Sequence, residues 1–279
     1  MTGTMKRVYL IPLGLWLLFE TVAITLWLTK DNIFYLFNFS YIGTCLSLGL
    51  LMYGKHKKYA RNVVQFAVGS YMLLYLGLIS GENMQIEGFW YYLFLGVFDA
   101  AVIHYLVAKI FGPLLFARGW CGYACWTAMI LDLLPWKIPI GPRRNLGFLR
   151  YIVFAISLLF IAGLFWFHVN HIASVVFWSF IIGNILYYFI GIVLAWKMKD
   201  NRAFCKYFCP VAVFLKPASY FSLLRVKNNT EHCISCGACR RACPMDVDVA
   251  DPSRKRINGT ECILCLRCVE QCPVKSLHL

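Results

Sequence analysis

Six apolar runs, each about as long as a bilayer is thick, dominate the first 200 residues and leave the backbone one solution. In hydrocarbon every peptide N–H and C=O must be satisfied within the chain, so such runs form helices. They are residues 8–29, 33–53, 62–80, 89–111, 149–169 and 172–196. A chain with 60% hydrophobic and 14% charged side chains and a mean hydropathy of +0.64 is not a water-soluble globule over this length. The first run is long enough to span and lacks a small-x-small cleavage site, so it is expected to stay as a helix rather than leave as a signal peptide.

The formal charge of +14 would suggest nucleic acid in a soluble chain, but here the basic residues fall in short loops between the runs. Nucleic acid is therefore excluded as a partner, and membrane lipid takes its place. With the N-terminus inside, 25 of the 27 Lys and Arg residues lie on one side, leaving Lys30 in an outer turn and Lys109 near the inner end of the fourth helix. The expectation is a multi-pass protein of the cytoplasmic (inner) membrane with both termini cytoplasmic. Its outer loops are short, and the longest, 81–88, carries Glu82 and Glu87.

Eight of the thirteen cysteines form two runs, Cys233-x2-Cys236-x2-Cys239-x3-Cys243-Pro244 and Cys262-x2-Cys265-x2-Cys268-x3-Cys272-Pro273. This spacing holds two [4Fe-4S] clusters, each run giving three ligands to one cubane and its fourth cysteine to the other. One site is then Cys233, Cys236, Cys239 and Cys272, the other Cys262, Cys265, Cys268 and Cys243. Zinc also takes four thiolates, but interleaved x2-x2-x3-Pro runs are poor zinc spacing. Reduced thiolates place this end of the chain in a reducing compartment and argue against structural disulfides. A segment of about 50 residues has too small a core to fold unaided, so its clusters would also serve as staples.

Two further stretches, 112–136 and 203–224, are too apolar for solvent and are cut by Gly, Pro and charges; they read as interfacial or re-entrant helices. They repeat each other at an offset of 84. Arg118, Trp120, Cys121, Tyr123, Cys125, Ala128 and Leu131 correspond to Arg202, Phe204, Cys205, Tyr207, Cys209, Ala212 and Leu215. Each copy follows a helical hairpin, so the expected architecture is an all-α membrane bundle of about six helices built as a parallel pseudo-repeat. A membrane domain over 1–227 would carry a small α+β two-cluster ferredoxin domain over 228–279. Cys121, Cys125, Cys205 and Cys209 could hold a third iron–sulfur cluster at the membrane edge, with Arg118 and Arg202 offsetting its negative charge and Trp120 and Phe204 excluding water. Free thiols at helix starts, or a redox-active dithiol pair, are the alternatives. Cys45, alone in the second run, reads as packing.

Ionisable residues at bilayer depth are functional candidates because their burial is costly. Glu20, Asp99 and His104 are the candidates for a proton relay at a quinone site. An interhelical hydrogen bond or an ion pair with Lys109 is the competing reading. Haem is disfavoured, since His104 has no histidine at matching depth and His168 and His171 fall at the outer surface.

With both motif sets in view, the chain resembles the membrane polyferredoxin family with Cys-x3-Cys-Pro motifs. That family includes the quinol dehydrogenase membrane component of periplasmic nitrate reduction, and the nitrous-oxide reductase accessory protein and a cytochrome oxidase assembly factor are similar. The resemblance covers roughly 118–279 and is carried by Cys205-Lys-Tyr-Phe-Cys209-Pro210; in the first copy Trp126 stands where the family has proline. It implies electron transfer at the cytoplasmic membrane, often from quinol. The function expected is a relay of electrons between a quinone pool or membrane partner and a redox enzyme or carrier. Flavodoxin, ferredoxin or a membrane reductase are the partners in view, attracted by Arg240, Arg241, Arg254, Lys255 and Arg256. The same basic cluster could instead rest on anionic lipid. An assembly or metal-reduction factor for a metalloenzyme, or a redox sensor, are the other readings. None of these points to a substrate pocket, so whether the chain is itself an enzyme stays open.

Overall fold

A computed structural model describes residues 3–55, 57, 59–98, 100–141, 143–251, 253, 256 and 259–279. Asp99, Arg254 and Lys255 lie outside the described residues. The chain is mostly helical, and its contacts divide it into two compact units, residues 1–71 with 123–126 and residues 72–122 with 127–279.

The first unit is built on α1 (Gly3–Lys30), α2 (Ile33–Gly54) and α3 (Ala60–Ser70). Small residues set the close approaches: a Cβ on Gly43 would lie 2.3 Å from Phe19, and one on Gly49 would lie 2.0 Å from Val64. Glu20 is satisfied within this unit, where its Oε2 accepts a 2.7 Å hydrogen bond from Ser40.

Among the described residues, five helical stretches are long and apolar enough to cross a membrane: Val8–Lys30, Ile33–Gly54, Ala60–Ile79, Leu149–Trp166 and Ile172–Met198. The third is α3 continued by a π-helical stretch, Tyr71–Ile79. The run 89–111 differs from the expectation of one continuous span. It is broken between α4 (Ile86–Phe94) and a second helical stretch that opens as α5 (Ala100–Tyr105), winds through π-helical Leu106–Phe111 and ends as α6 (Gly112–Phe116). The physical reason is Gly96, which takes a left-handed φ of +70°. Around it Val97 N–H donates to Tyr92 O and Gly96 N–H to Leu93 O, the paired bonds that close a helix end.

The 81–88 segment is not a solvent loop either. Asn83, Met84, Gln85 and Ile86 are all buried. They fold back along α10 (Ile172–Met198), which follows α9 (Leu149–Trp166) in the chain, and α4 packs against both helices. Asn83 Nδ2 donates to Val176 O at 2.8 Å, near the start of α10, and Gln85 packs on Gly183, seven residues and about 10 Å further along the same helix. The chain then reverses. Trp90 Nε1 reaches Ser157 Oγ at 3.3 Å, and Phe94 meets Phe165 at the end of α9. Residues 81–94 therefore form a re-entrant turn, descending beside α10 in extended form and returning beside α9 as α4. Asn83 makes the extended stretch tolerable by caring for an α10 carbonyl and, through Oδ1, for the Gln85 N–H.

α7 (Gly119–Tyr123) and α11 (Ala203–Tyr207) carry the repeated motifs, and their bounds share the 84-residue offset. α8 (Trp126–Leu131) and α12 (Ala212–Tyr220) follow them. The cysteine-rich segment belongs to the second unit. It closes with an antiparallel pair, β1 (Lys227–Asn228) on β2 (Leu277–His278).

The re-entrant turn rests on Gly88, where a Cβ would sit 1.7 Å from Asn83 O. Gly88→Ala should lower the Tm of detergent-purified protein at a cost on the order of 1–3 kcal/mol. Gly163→Ala, whose methyl meets nothing within 4 Å, should not lower it. Equal Tm values for Gly88→Ala and the parent would contradict the turn.

Candidate iron–sulfur centres

The ferredoxin-like segment repeats its backbone at an offset of 29. Left-handed φ values occur at Ser235 and Leu264, at Gly237 and Leu266, and at Asp246 and Lys275. Five of these six are not glycine, and such a conformation persists in non-glycine residues only where the surroundings impose it. Two cavities result. One, of about 350 Å³, is lined by Cys233, Cys236 and Cys239 from the first run and Cys272 from the second. The other is lined by Cys262, Cys265 and Cys268 together with Cys243. The structure thus gathers the cysteines in the crossed sets that the spacing suggests.

The donors around these thiols fit thiolate ligands. Cys243 receives backbone hydrogen bonds from Met245 and Val247, the latter with N to Sγ at 3.3 Å. Cys272, 29 residues on, receives them from Val274 and Ser276. The two cavities differ in electrostatics. Hydrogen bonds from the Ser235 backbone and the Asn228 side chain lower Cys233, and the Ser276 side chain lowers Cys272. Burial pushes Cys243 up to about 11 and Cys262 up to about 12, and it raises Cys268 as well. Thiols so buried become thiolates when metal charge compensates them. Among the described residues no three His, Cys, Asp or Glu side chains converge on a single-ion position. Four thiols spread around a cavity suit a polynuclear cluster, whose ligands sit on different irons, better than one tetrahedral zinc.

The second cavity adjoins the membrane motifs. Cys121 and Cys205 share an apolar cluster with Met245, Val247 and Ile263, and Cys243 and Cys265 pack against it. The approach is made by backbone: Arg118 N–H donates to Cys262 O at 3.2 Å, and a Cβ on Gly122 would lie 2.4 Å from Ile263 O. Gly122 is therefore the residue that lets the two segments touch. Cys209 lies within electrostatic reach of Arg118 together with Cys121 and Cys205. Cys125 falls in the 123–126 stretch that groups with the first unit.

The two arginines behave reciprocally. Arg118 Nη2 donates to Cys205 O at 3.4 Å, and Arg202 Nη1 donates to Cys121 O at 3.1 Å, so each motif's arginine serves the other motif's first cysteine. Sequence reasoning assigned both to offset cluster charge. In the structure each also has a carboxylate, Glu261 for Arg118 and Asp132 for Arg202, while Arg202 Nη1 lies 3.9 Å from Cys205 Sγ. Glu261, just before Cys262, is shared by Arg118, by Arg150 at 3.2 Å, by Arg143 at 3.0 Å and by Lys216 at 3.0 Å. Burial alone would raise its pKa, but these four cations outweigh burial and hold it at about 2. Lys206, fully buried, bridges Asp200 and Asp246. Glu261, Asp132, Asp200 and Asp246 carry no motif, Lys206 sits within the second motif as one of its intervening residues, and sequence reasoning assigned none of them a role.

His104 lies in the second unit with its Nε2 buried and unpartnered. Its ring meets the edge of Trp120 at 5.3 Å, and Lys109 Nζ lies 4.9 Å from the Trp120 centroid. His104 is thus beside the residue that precedes Cys121. Glu20 belongs to the first unit. Trp120 and Phe204 are both buried.

These sites define an iron–sulfur protein of the electron-transfer class, polyferredoxin-like in its cysteine pattern. Residues 225–273 match the model of the 4Fe-4S dicluster domain. The chain is 26% identical over 185 residues to an uncharacterized protein of Methanocaldococcus jannaschii, covering 62% of this chain and 76% of that one. It is 32% identical over 87 residues to the putative electron transport protein YccM of Escherichia coli, covering 31% of this chain and 24% of that protein. It is 27% identical over 161 residues to the methylamine utilization ferredoxin-type protein MauN of Paracoccus denitrificans, covering 52% and 54%. The chain thus spans about a quarter and about half of these last two relatives. No solved structure matches it significantly.

Glu261→Gln should destabilise the purified protein by about 3–5 kcal/mol, because it leaves buried arginines without a counter-charge. The sign with pH follows from a folded pKa held below the ordinary 4.5. Stability from this carboxylate is complete above about 4.5 and is lost as pH falls towards about 2. Unfolding followed across that window should show a steeper acid loss in the parent than in the variant. Parallel curves would remove Glu261 from this role.

Proposed function

We propose that the chain is a membrane-embedded electron relay between a soluble or membrane-bound redox partner and a centre at the membrane edge. The observation that carries it is the packing of the Cys243/Cys262/Cys265/Cys268 cavity onto Cys121 and Cys205 through Arg118, Gly122 and Ile263. When bound, iron–sulfur clusters supply one-electron carriers, and the low dielectric around them makes each fixed donor and charge count.

In this reading two [4Fe-4S] clusters occupy the crossed cysteine sets, and a third is held by Cys121, Cys205 and Cys209, with Cys125 assigned on sequence spacing. The Cys233 site is the outward terminal: Cys236 is exposed and Ile234 beside it is 62% exposed, offering a partner an apolar contact. Arg240 and Arg241 flank it and favour an acidic carrier such as flavodoxin or ferredoxin. The Cys243 site is the inward terminal. Arg118 and Arg202 hold the carbonyls of the facing cysteines and so fix the spacing between motifs.

The membrane reading keeps six crossings, five from the long apolar helices and one from the shorter apolar helix Ala101–Phe116. A parallel pseudo-repeat, with a membrane domain to residue 227 and a two-cluster module over 228–279, is supported by the reciprocal arginines and the matching bounds of α7 and α11. The distribution of Lys and Arg favours the inner membrane with both termini cytoplasmic. For a quinone site, His104 beside Trp120 is the candidate in the second unit, while Glu20 and Asp99 are candidates on the sequence alone.

Iron and acid-labile sulfide on anaerobically purified protein test the assignment. About 12 irons per chain should fall to about 8 in Cys121→Ser/Cys205→Ser. About 8 in both would leave the membrane motifs as thiols and end the relay reading at the ferredoxin module.

A further inference from the structure

The re-entrant turn leads somewhere. Its deepest part, the start of α4, carries Gln85 and Glu87. Gln85 is 4% exposed with neither amide atom hydrogen-bonded, and Glu87 Oε2 is shut off from solvent with no partner. Leaving three polar atoms unpaired in an apolar core is costly, and such groups call for an explanation. Glu87 and Gln85 are placed there by the unusual path of 81–88, which an ordinary outer loop would have left in water.

Beyond Glu87 lies the Cys209 motif. α4 packs against α10, and Tyr187 of α10 interacts electrostatically with both Glu87 and Cys209. Its ring meets Phe204, one residue before Cys205, at 5.1 Å. Phe89, on the first turn of α4, meets Phe214 of α12 at 5.6 Å and stacks on Tyr105 of α5 at 4.9 Å. From the other direction the turn begins at Asn83 and Val176, near the end where α10 starts, and Glu82 there accepts from Tyr92 Oη at 2.8 Å. A line of polar groups thus runs from Glu82 through Asn83, Gln85 and Glu87 to Tyr187. The elements packed on α4 present Tyr105 from α5, Ser157 from α9, and Asn184 and Tyr187 from α10. Of these, Tyr187 is the titratable group that feels Glu87.

We propose that Glu87 is a proton-binding site coupled to electron arrival at the Cys205/Cys209 motif, loaded along the re-entrant turn from the end where α10 begins. This rests on the reading of that motif as an iron–sulfur centre. For each electron delivered by a one-electron donor of the ferredoxin or flavodoxin class, Glu87 Oε2 gains one proton drawn from water through the turn. The motif becomes more negative by one charge, Glu87 less negative by one, and the buried region keeps its net charge. When the electron passes on to a one-electron acceptor of the same carrier class, Glu87 Oε2 releases its proton back to water along the turn. Gln85 positions the entering proton donor with its free amide, and Tyr187 couples the two charges. Neutralising a charge where it develops is what a low-dielectric interior demands.

The test is reduction-minus-oxidised infrared difference spectroscopy on the full chain in nanodiscs, with spin-resonance spectra and iron content from the same samples. In the parent protein a deuterium-sensitive carboxylic-acid C=O band should grow in step with the spin signal that Cys205→Ser/Cys209→Ser removes. Glu87→Gln should abolish the band while keeping iron content and spin signal. Glu87→Asp should restore a shifted band, and Tyr187→Phe should weaken the coupling between band and signal. No band in the parent, or a band unchanged in Glu87→Gln at full iron content, overturns the proton site alone. If the Cys205→Ser/Cys209→Ser variant loses neither iron nor spin signal, the centre itself is absent and both readings fall.

Discussion

Buried cations at the repeated cysteine motifs, and the carboxylates that answer them, are the constraint on which the second unit depends. Arg118, Arg150 and Lys206 are almost completely excluded from solvent, and each finds an anion in the cysteine-rich segment, Glu261 for the arginines and Asp246 for the lysine. A cation removed from water is tolerable only when paired and hydrogen-bonded. The ferredoxin-like module is therefore a structural part of the membrane motif rather than a tethered domain. Its position brings the Cys243 cavity against Cys121 and Cys205, and the same ionic contacts that hold the fold hold that spacing.

Two internal repeats meet at this point. The 84-residue repeat supplies Arg118 and Arg202, which exchange hydrogen bonds with the first cysteine of the opposite copy. The 29-residue repeat supplies two cavities with matching left-handed residues and matching N–H donors to sulfur. The symmetry is broken where the two repeats touch, since Arg118 takes its carboxylate from the module and Arg202 takes Asp132 from the stretch that follows the first motif. That asymmetry leaves one cavity packed against the repeated cysteine motifs and the other lined by the exposed Cys236.

Much of this was legible in the chain. Cysteine spacing points to the crossed sets of four that line the two cavities, because a cubane's geometry is fixed by chemistry, and run length points to most of the long apolar helices. The re-entrant turn was hidden for a physical reason. Hydropathy averages over 89–111 conceal a single glycine, Gly96, whose left-handed conformation ends α4, and Asn83 and Gln85 read as loop residues because polar side chains ordinarily seek water. The carboxylates were hidden too: Glu261 and Asp132 are ordinary acids in sequence, and only tertiary contacts bring Arg150, 111 residues from Glu261, and Lys216, 45 residues from it, to one carboxylate. Arg118 and Arg202 were found through their repeat, but their use as hydrogen-bond donors to the facing motif needed coordinates.

The central claim is that electrons pass from the outward cysteine site through the Cys243 site to the membrane motif. Freeze-quench spin-resonance spectra of a Cys265→Ser variant, mixed with a reduced soluble ferredoxin, test it most directly. The account predicts that the Cys233/Cys236/Cys239/Cys272 site is reduced at the parent rate while the Cys205/Cys209 centre stays oxidised. Reduction of the membrane centre as fast as in the parent would contradict it.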